Sequence, residues 1–172
     1  MNSVVKYTLF FILILILQSV IFNKIVLFGV ATPMMIVYYI IKLPIKLNRI
    51  YALTVVFLLG LSVDIFANTL GMNALASVLT LYFRKPIMRI FYDYETETNS
   101  FDVNIRRGGA VNFLKYTITL AFVYCFVIFV IQSFTLFDFW SLLFKIIFST
   151  VLTTVIIIAF ESINISSGGK RL

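Results

Sequence analysis

Asp64 is the residue of this chain with the clearest chemical potential, because it is the only acidic residue in the first 92 positions. It follows the apolar run 50–63, and Gly60 lies four residues before it, on the same face of a predicted helix. A carboxylate near membrane depth is costly, and such residues commonly belong to functional sites. Asp64 is therefore the first candidate for a functional side chain.

The groups with which a carboxylate usually performs catalysis are missing from the sequence. There is no histidine, which removes the commonest proton shuttle near neutral pH and the usual zinc ligands. The single cysteine, Cys125, lies in an apolar stretch, where a packing role is expected and no intramolecular disulfide can form. Asp138 and Glu161 are predicted at the membrane interfaces. The sequence thus predicts no enzyme, no cofactor and no metal site.

The composition indicates an integral membrane protein. Hydrophobic residues make up 62% and charged residues 12% of the chain, and the mean hydropathy is +1.07, far from the soluble range. The net charge of +7 is explained by membrane topology and by attraction to membrane lipids with anionic headgroups, so no nucleic acid is expected as a partner.

Apolar runs and breaks predict an all-α membrane protein, a six-transmembrane-helix bundle that forms a single domain over residues 1–172. The predicted helices are Val4–Phe22, Val30–Leu43, Ile50–Ala67, Leu70–Ile90, Phe113–Phe134 and Trp140–Ile163. Gly29, Pro33 and Pro44 mark the limits of the second helix, which is the least regular because proline disfavours a helix interior. The sequence leaves open whether residues 23–32 are helix or an apolar outer loop, and in the second case the helix is short and runs from Pro33 toward Pro44.

The basic residues predict the orientation. If the N-terminus is cytoplasmic, all 14 basic residues except Lys24 and Lys145 fall on the cytoplasmic side. The positive-inside rule then places both termini in the cytoplasm.

The connection 84–112 is predicted as a cytoplasmic loop with a basic face. That face comprises Arg84, Lys85, Arg89, Arg106 and Arg107. Two interpretations stay open, an aromatic and basic membrane anchor followed by a mobile loop, or a docking surface for another protein.

Asp64 is predicted near the outer edge of the hydrocarbon, because about 15 residues beyond Arg49 at 1.5 Å each give roughly 22 Å. The small residues Gly60, Gly71 and Ala74 predict a tight hairpin of the third and fourth helices. Asn68 or Thr69 is expected to cap the fourth helix, and the Asp64 carboxylate to tie the two helices together. Contact of Asp64 with a partner or ligand is the alternative.

These motifs, taken in order, resemble those of MreD, the rod shape-determining membrane protein family of bacteria. The matching residues are Gly29-x-x-x-Pro33, Leu43-Pro44, Gly60-x-x-x-Asp64, Leu70-Gly71-x-x-Ala74-x-Ala76 and Arg84-x-Pro86. One position departs from the pattern, since Asn73 stands where related chains often present histidine. This departure puts in doubt any role that needs a titrating group beside Asp64.

The resemblance implies a non-enzymatic component of the machinery for lateral peptidoglycan elongation in the bacterial cytoplasmic membrane. The implied partners are an MreC-like single-span protein and also MreB, RodA and its transpeptidase. It also implies a six-helix architecture similar to that of the substrate-binding subunits of energy-coupling-factor transporters.

The rival expectation is such a subunit, which would bind a vitamin-type small molecule. These subunits dock through small residues at every fourth position of the first helix, whereas Val4–Phe22 is mostly large and aliphatic. The predicted outer turns also lack the convergent polar groups of a ligand pocket.

Overall fold

The structure is a computed structural model, which describes residues 3–24, 31–45, 47–69, 71–92, 109–133 and 139–168. In these ranges every regular element is a helix. The helices are α1 (Ser3–Ile16), continued by a π-helical segment (Leu17–Phe22), α2 (Ile36–Lys42), α3 (Arg49–Ala67), α4 (Met72–Phe91), α5 (Ala110–Gln132) and α6 (Phe139–Gly168). Apart from α2, each helix begins within about three residues of its predicted start.

Within the described ranges, three helices are long and apolar enough to cross a membrane, namely α3, α5 and the part Phe139–Ile163 of α6. The shorter stretch Tyr7–Phe22 is also apolar. Large apolar side chains cover the outward faces of these helices, as lipid contact requires. Examples are Leu9, Phe57, Phe122, Phe126, Phe148 and Val151. The chain is therefore a helical membrane protein.

Consecutive helices pack against each other from α3 to α6, and α2 lies among α1, α3, α4 and α5. All six apolar and aromatic residues from Ile36 to Ile41 are buried. A helix that is apolar on all sides belongs in the interior of a bundle, which explains this central position.

The prediction for the second helix, Val30–Leu43, is wrong in its extent. The helix comprises seven residues, about 10 Å, and is too short to cross a hydrocarbon core of about 30 Å. The preceding residues 31–34 are not helical. Pro33 accounts for this, because proline offers no backbone N–H and disfavours helical geometry at the residue before it.

Side chains from other elements satisfy the backbone of this non-helical segment. The amide of Met35 donates to Oε1 of Gln18 at 2.7 Å, and the amide of Met34 donates to Oγ1 of Thr153 at 3.0 Å. Ser149 Oγ similarly accepts from the amide of Thr32 at 3.1 Å. Irregular backbone at membrane depth is tolerated where protein groups supply such partners.

The predicted loop 84–112 begins too early. Residues 84–91 belong to α4, which ends at Phe91, and residues 93–108 lie outside the described ranges.

Candidate functional site

Asp64 lies near the end of α3, and its backbone carbonyl group takes part in the turn toward α4. Helix α3 ends at Ala67, and Asn68 takes a left-handed conformation with φ 55°. The carbonyl oxygen of Asp64 accepts from the amide of Asn68 and from that of Thr69 at 2.9 Å. The chain therefore folds back over Asp64 before α4 begins.

The carboxylate of Asp64 is 2% exposed and both of its oxygens are bound by α4. Oδ1 accepts from the backbone amide of Asn73 at 3.0 Å and from its side-chain Nδ2 at 2.9 Å. Oδ2 accepts from the backbone amide of Ala74 at 2.9 Å. The hydroxyl of Thr69 adds a further bond to Oδ1. The negative charge thus lies against the unpaired amides at a helix N-terminus, where the helix dipole favours an anion.

The expectation that Asn68 or Thr69 caps α4 is wrong. Asn68 ends α3, and the hydroxyl of Thr69 donates to Asp64. The N-cap position of α4 is occupied by Gly71, which has a φ of +72° and no side chain to offer. Asp64 supplies the missing acceptor from the preceding helix, because the two helices cross closely enough for its carboxylate to reach the first turn.

Gly60 makes this close crossing possible. A Cβ atom at Gly60 would lie 2.6 Å from the Cα atom of Ala74 and 2.7 Å from the carbonyl oxygen of Asn73. These are backbone atoms, which cannot rotate away. The backbones of α3 and α4 are therefore in direct contact, as expected for a hairpin built on small residues.

Asn73 extends the same network to α5. Its side-chain oxygen accepts from the hydroxyl of Tyr124 at 2.9 Å, while its backbone oxygen accepts from the hydroxyl of Ser77 at 2.6 Å. Sequence reasoning assigned no role to Tyr124. The available signal was the position of Asn73, an amide inside a membrane helix that requires partners.

Glu161, which the sequence predicts at a membrane interface, is buried within the bundle with 1% exposure. Its Oε1 pairs with Lys42 Nζ at 2.7 Å, and its Oε2 accepts from the hydroxyl of Tyr38 at 3.1 Å. This cluster joins α2 to α6. It was missed because Lys42 and Glu161 are far apart in sequence and meet only in the folded bundle.

Arg84 also departs from its prediction as part of a cytoplasmic basic face. It is 5% exposed, and its Nη2 donates to the carbonyl oxygens of Ile41 at 3.1 Å and Leu43 at 2.6 Å. Its Nε donates to the hydroxyl of Tyr116 at 3.3 Å. The guanidinium therefore caps the carbonyl end of α2, where a helix favours a cation.

The remaining predicted positions are spread over the molecule. Lys85 and Arg89 are exposed on α4. Pro33 is buried, with its carbonyl oxygen 3.2 Å from Gln18 Nε2, and Pro44 accepts from the amide of Leu47 at 3.3 Å. The other three, Gly29, Arg106 and Arg107, lie outside the described residues.

Among the described residues, no group of three or more His, Cys, Asp or Glu side chains could hold a metal ion. What the network of Asp64 does chemically is hold α3, α4 and α5 in one arrangement. Fold and site together define the class as a helical membrane protein with a buried, hydrogen-bonded carboxylate at a helix junction. Comparisons with protein-family models, with curated proteins and with solved structures find no match.

Proposed function

We propose that this protein is a non-enzymatic membrane component of the bacterial machinery for cell shape and lateral peptidoglycan elongation. It acts as a scaffold together with an MreC-like single-span partner. The observation that carries the proposal is the engagement of both Asp64 oxygens by α4. A carboxylate committed to helix amides serves to fix the shape of a surface, which is what a scaffold needs.

The network lies inside the bundle, so a partner would meet the outer faces of the helices that it holds. On α3 these faces carry apolar side chains such as Ile50, Phe57 and Ile65. A transmembrane segment of a partner can pack against such a surface in place of lipid. In the proposed topology the chain crosses the cytoplasmic membrane six times with both termini inside, and the non-helical segment together with α2 forms the second crossing. MreB, RodA and its transpeptidase belong to the same assembly.

Affinity capture from the native membrane tests this function. The tagged full chain, solubilised in mild detergent, should recover a single-span protein with a large extracytoplasmic domain together with cell-wall synthesis proteins. Recovery of a pair of transporter ATPases without any cell-wall component would overturn the proposal.

Two valine substitutions provide a matched pair for the capture. Gly60→Val on α3 should abolish recovery of the partner, because its side chain cannot fit against the backbone of α4. Ser162→Val places the same side chain at an exposed position of α6, outside the helices held by the network, where the hydroxyl bonds to Ile158 of its own helix. This control should recover the partner at the level of the unmodified chain.

A second candidate function is a vitamin-type substrate-binding subunit of a membrane transporter, which one observation favours. Polar side chains converge around the non-helical segment before α2, and the Oγ atoms of Ser19 and Thr32 are buried there without a partner in the described part of the chain. A rise in thermal unfolding temperature with one water-soluble vitamin, together with recovery of transporter ATPases, would support this alternative.

A further inference from the structure

A groove lies between the beginning of α3 and the second half of α4. It is partly open to the surroundings. Its wall is mainly apolar and includes Leu53, Leu81 and Met88, while the cations Arg49, Arg84 and Lys85 also line it. The groove therefore combines an apolar surface with three positive charges.

Arg84 is the cation that most needs an anion. Its side chain is buried, and its partners are two carbonyl oxygens and one phenol. In the described ranges, the carboxylate of Glu161 pairs with Lys42, and no carboxylate lies at ion-pair distance from Arg84. Because buried charges are normally paired, the positive charge of Arg84 favours an anion in the groove that it lines.

Arg49 and Lys85 are exposed and can meet a ligand without an unfavourable rearrangement. The guanidinium carbon of Arg49 lies 4.4 Å from the ring centroid of Tyr82. Stacking of this kind uses the face of the guanidinium, and its N–H groups, which lie in the plane, stay available for a phosphate. Tyr82 therefore helps to hold Arg49 beside the groove.

We propose that this groove binds an anionic phospholipid. Arg49, Arg84 and Lys85 surround the headgroup phosphate, and an acyl chain lies against Leu53 and Leu81. A membrane helix that begins at Arg49 passes from the polar interface into hydrocarbon over its first turns, so the charged and apolar parts of the groove match those of a lipid. An inorganic anion would contact only the positively charged residues and would make no contact with the apolar wall.

Native mass spectrometry of the purified full chain in neutral detergent tests the site. Phosphatidylglycerol is the probe, and phosphatidylcholine with the same acyl chains is the comparison lipid. We expect saturable, preferential retention of phosphatidylglycerol. The double variant Arg49→Gln/Lys85→Gln should bind it about thirtyfold more weakly, and each single variant about fivefold more weakly. Arg84 is left unchanged because it also caps α2.

Lys115→Gln is the matched control. Lys115 is exposed on α5 and precedes Tyr116, whose hydroxyl contacts Arg84, so it lies at a similar depth but does not line the groove. Its replacement removes the same charge and should leave lipid binding unchanged. Circular dichroism of all variants verifies that they keep the helical fold.

Three outcomes would overturn the proposal. Equal retention of both lipids would show that the anionic headgroup is not recognised. An equal loss in Lys115→Gln would mean that general surface charge, and not the groove, attracts the lipid. Displacement of the lipid by millimolar inorganic phosphate would assign the site to a free anion.

Discussion

Asp64 and Glu161 are both buried carboxylates, but their charges are balanced in different ways. Asp64 is bound by backbone amides and neutral side chains of the next helix in sequence. Glu161 forms an ion pair with Lys42, which is 119 residues away. The first arrangement fixes a local hairpin, whereas the second joins distant parts of the chain. The difference shows that a membrane protein can bury an acid either with helix N-terminal amides or with a cation.

The largest expected effect tests the amide-bound acid. Asp64→Ala leaves the amides of Asn73 and Ala74 buried without an acceptor, which should lower the free energy of unfolding by about 4 kcal/mol at about 2 kcal/mol for each group. Titration with sodium dodecyl sulphate in mixed micelles measures this change.

Asp64→Asn is the companion variant, since it keeps one acceptor oxygen and removes the charge. It should lose about half as much stability as Asp64→Ala. If Asp64→Asn abolished partner capture at unchanged stability, the charge itself would be the functional property and the capping account would be wrong.

The stability contributed by Glu161, unlike that contributed by Asp64, should depend on a cation, Lys42. Lys42→Met leaves Glu161 buried and unneutralised, with an expected loss of about 3 kcal/mol in the same titration. Adding Glu161→Gln to this variant removes the unpaired charge and should restore about half of the loss. A double variant no more stable than Lys42→Met would contradict the pairing.

Alanine substitutions at two glycines separate close packing from backbone conformation within the hairpin. Gly60→Ala should cost about 2 kcal/mol, because its Cβ meets the backbone of α4. The Cβ atom added by Gly71→Ala meets no atom within 4 Å, so the expected cost is that of the positive φ alone, about 1 kcal/mol. Equal losses in thermal unfolding experiments would argue against direct backbone contact at Gly60.

The smallest expected effect concerns the hydrogen bond by which Asn73 connects the network of Asp64 to α5. Tyr124→Phe removes the hydroxyl that donates to the side-chain oxygen of Asn73, at a cost of about 1 kcal/mol. Tyr51→Phe, at an exposed position of α3, is the control and should leave the unfolding midpoint unchanged. A similar shift in both variants would remove Tyr124 from the network.

The same comparison explains what the sequence could predict. The hairpin of α3 and α4 could be predicted because Gly60, Asp64 and Gly71 are close in sequence. Small residues indicate close packing of neighbouring helices, and a charged residue near a helix end indicates a nearby hydrogen-bonding partner. The roles of Arg84 and Glu161 could not be predicted, since hydropathy placed both at a membrane surface. Both side chains are buried because they contact α2, and the sequence does not show where α2 lies in the bundle. The length of α2 was overestimated because its apolar sequence continues through Pro33, where the helix does not.

The non-helical segment before α2 has a consequence for how the protein is made. Its amides depend on Gln18, which is synthesised earlier, and on Ser149 and Thr153, which are synthesised near the end. Until α6 leaves the ribosome, Thr32 and Met34 lack the acceptors that they have in the finished protein. These two hydrogen bonds of the non-helical segment can therefore form only after α6 has been synthesised.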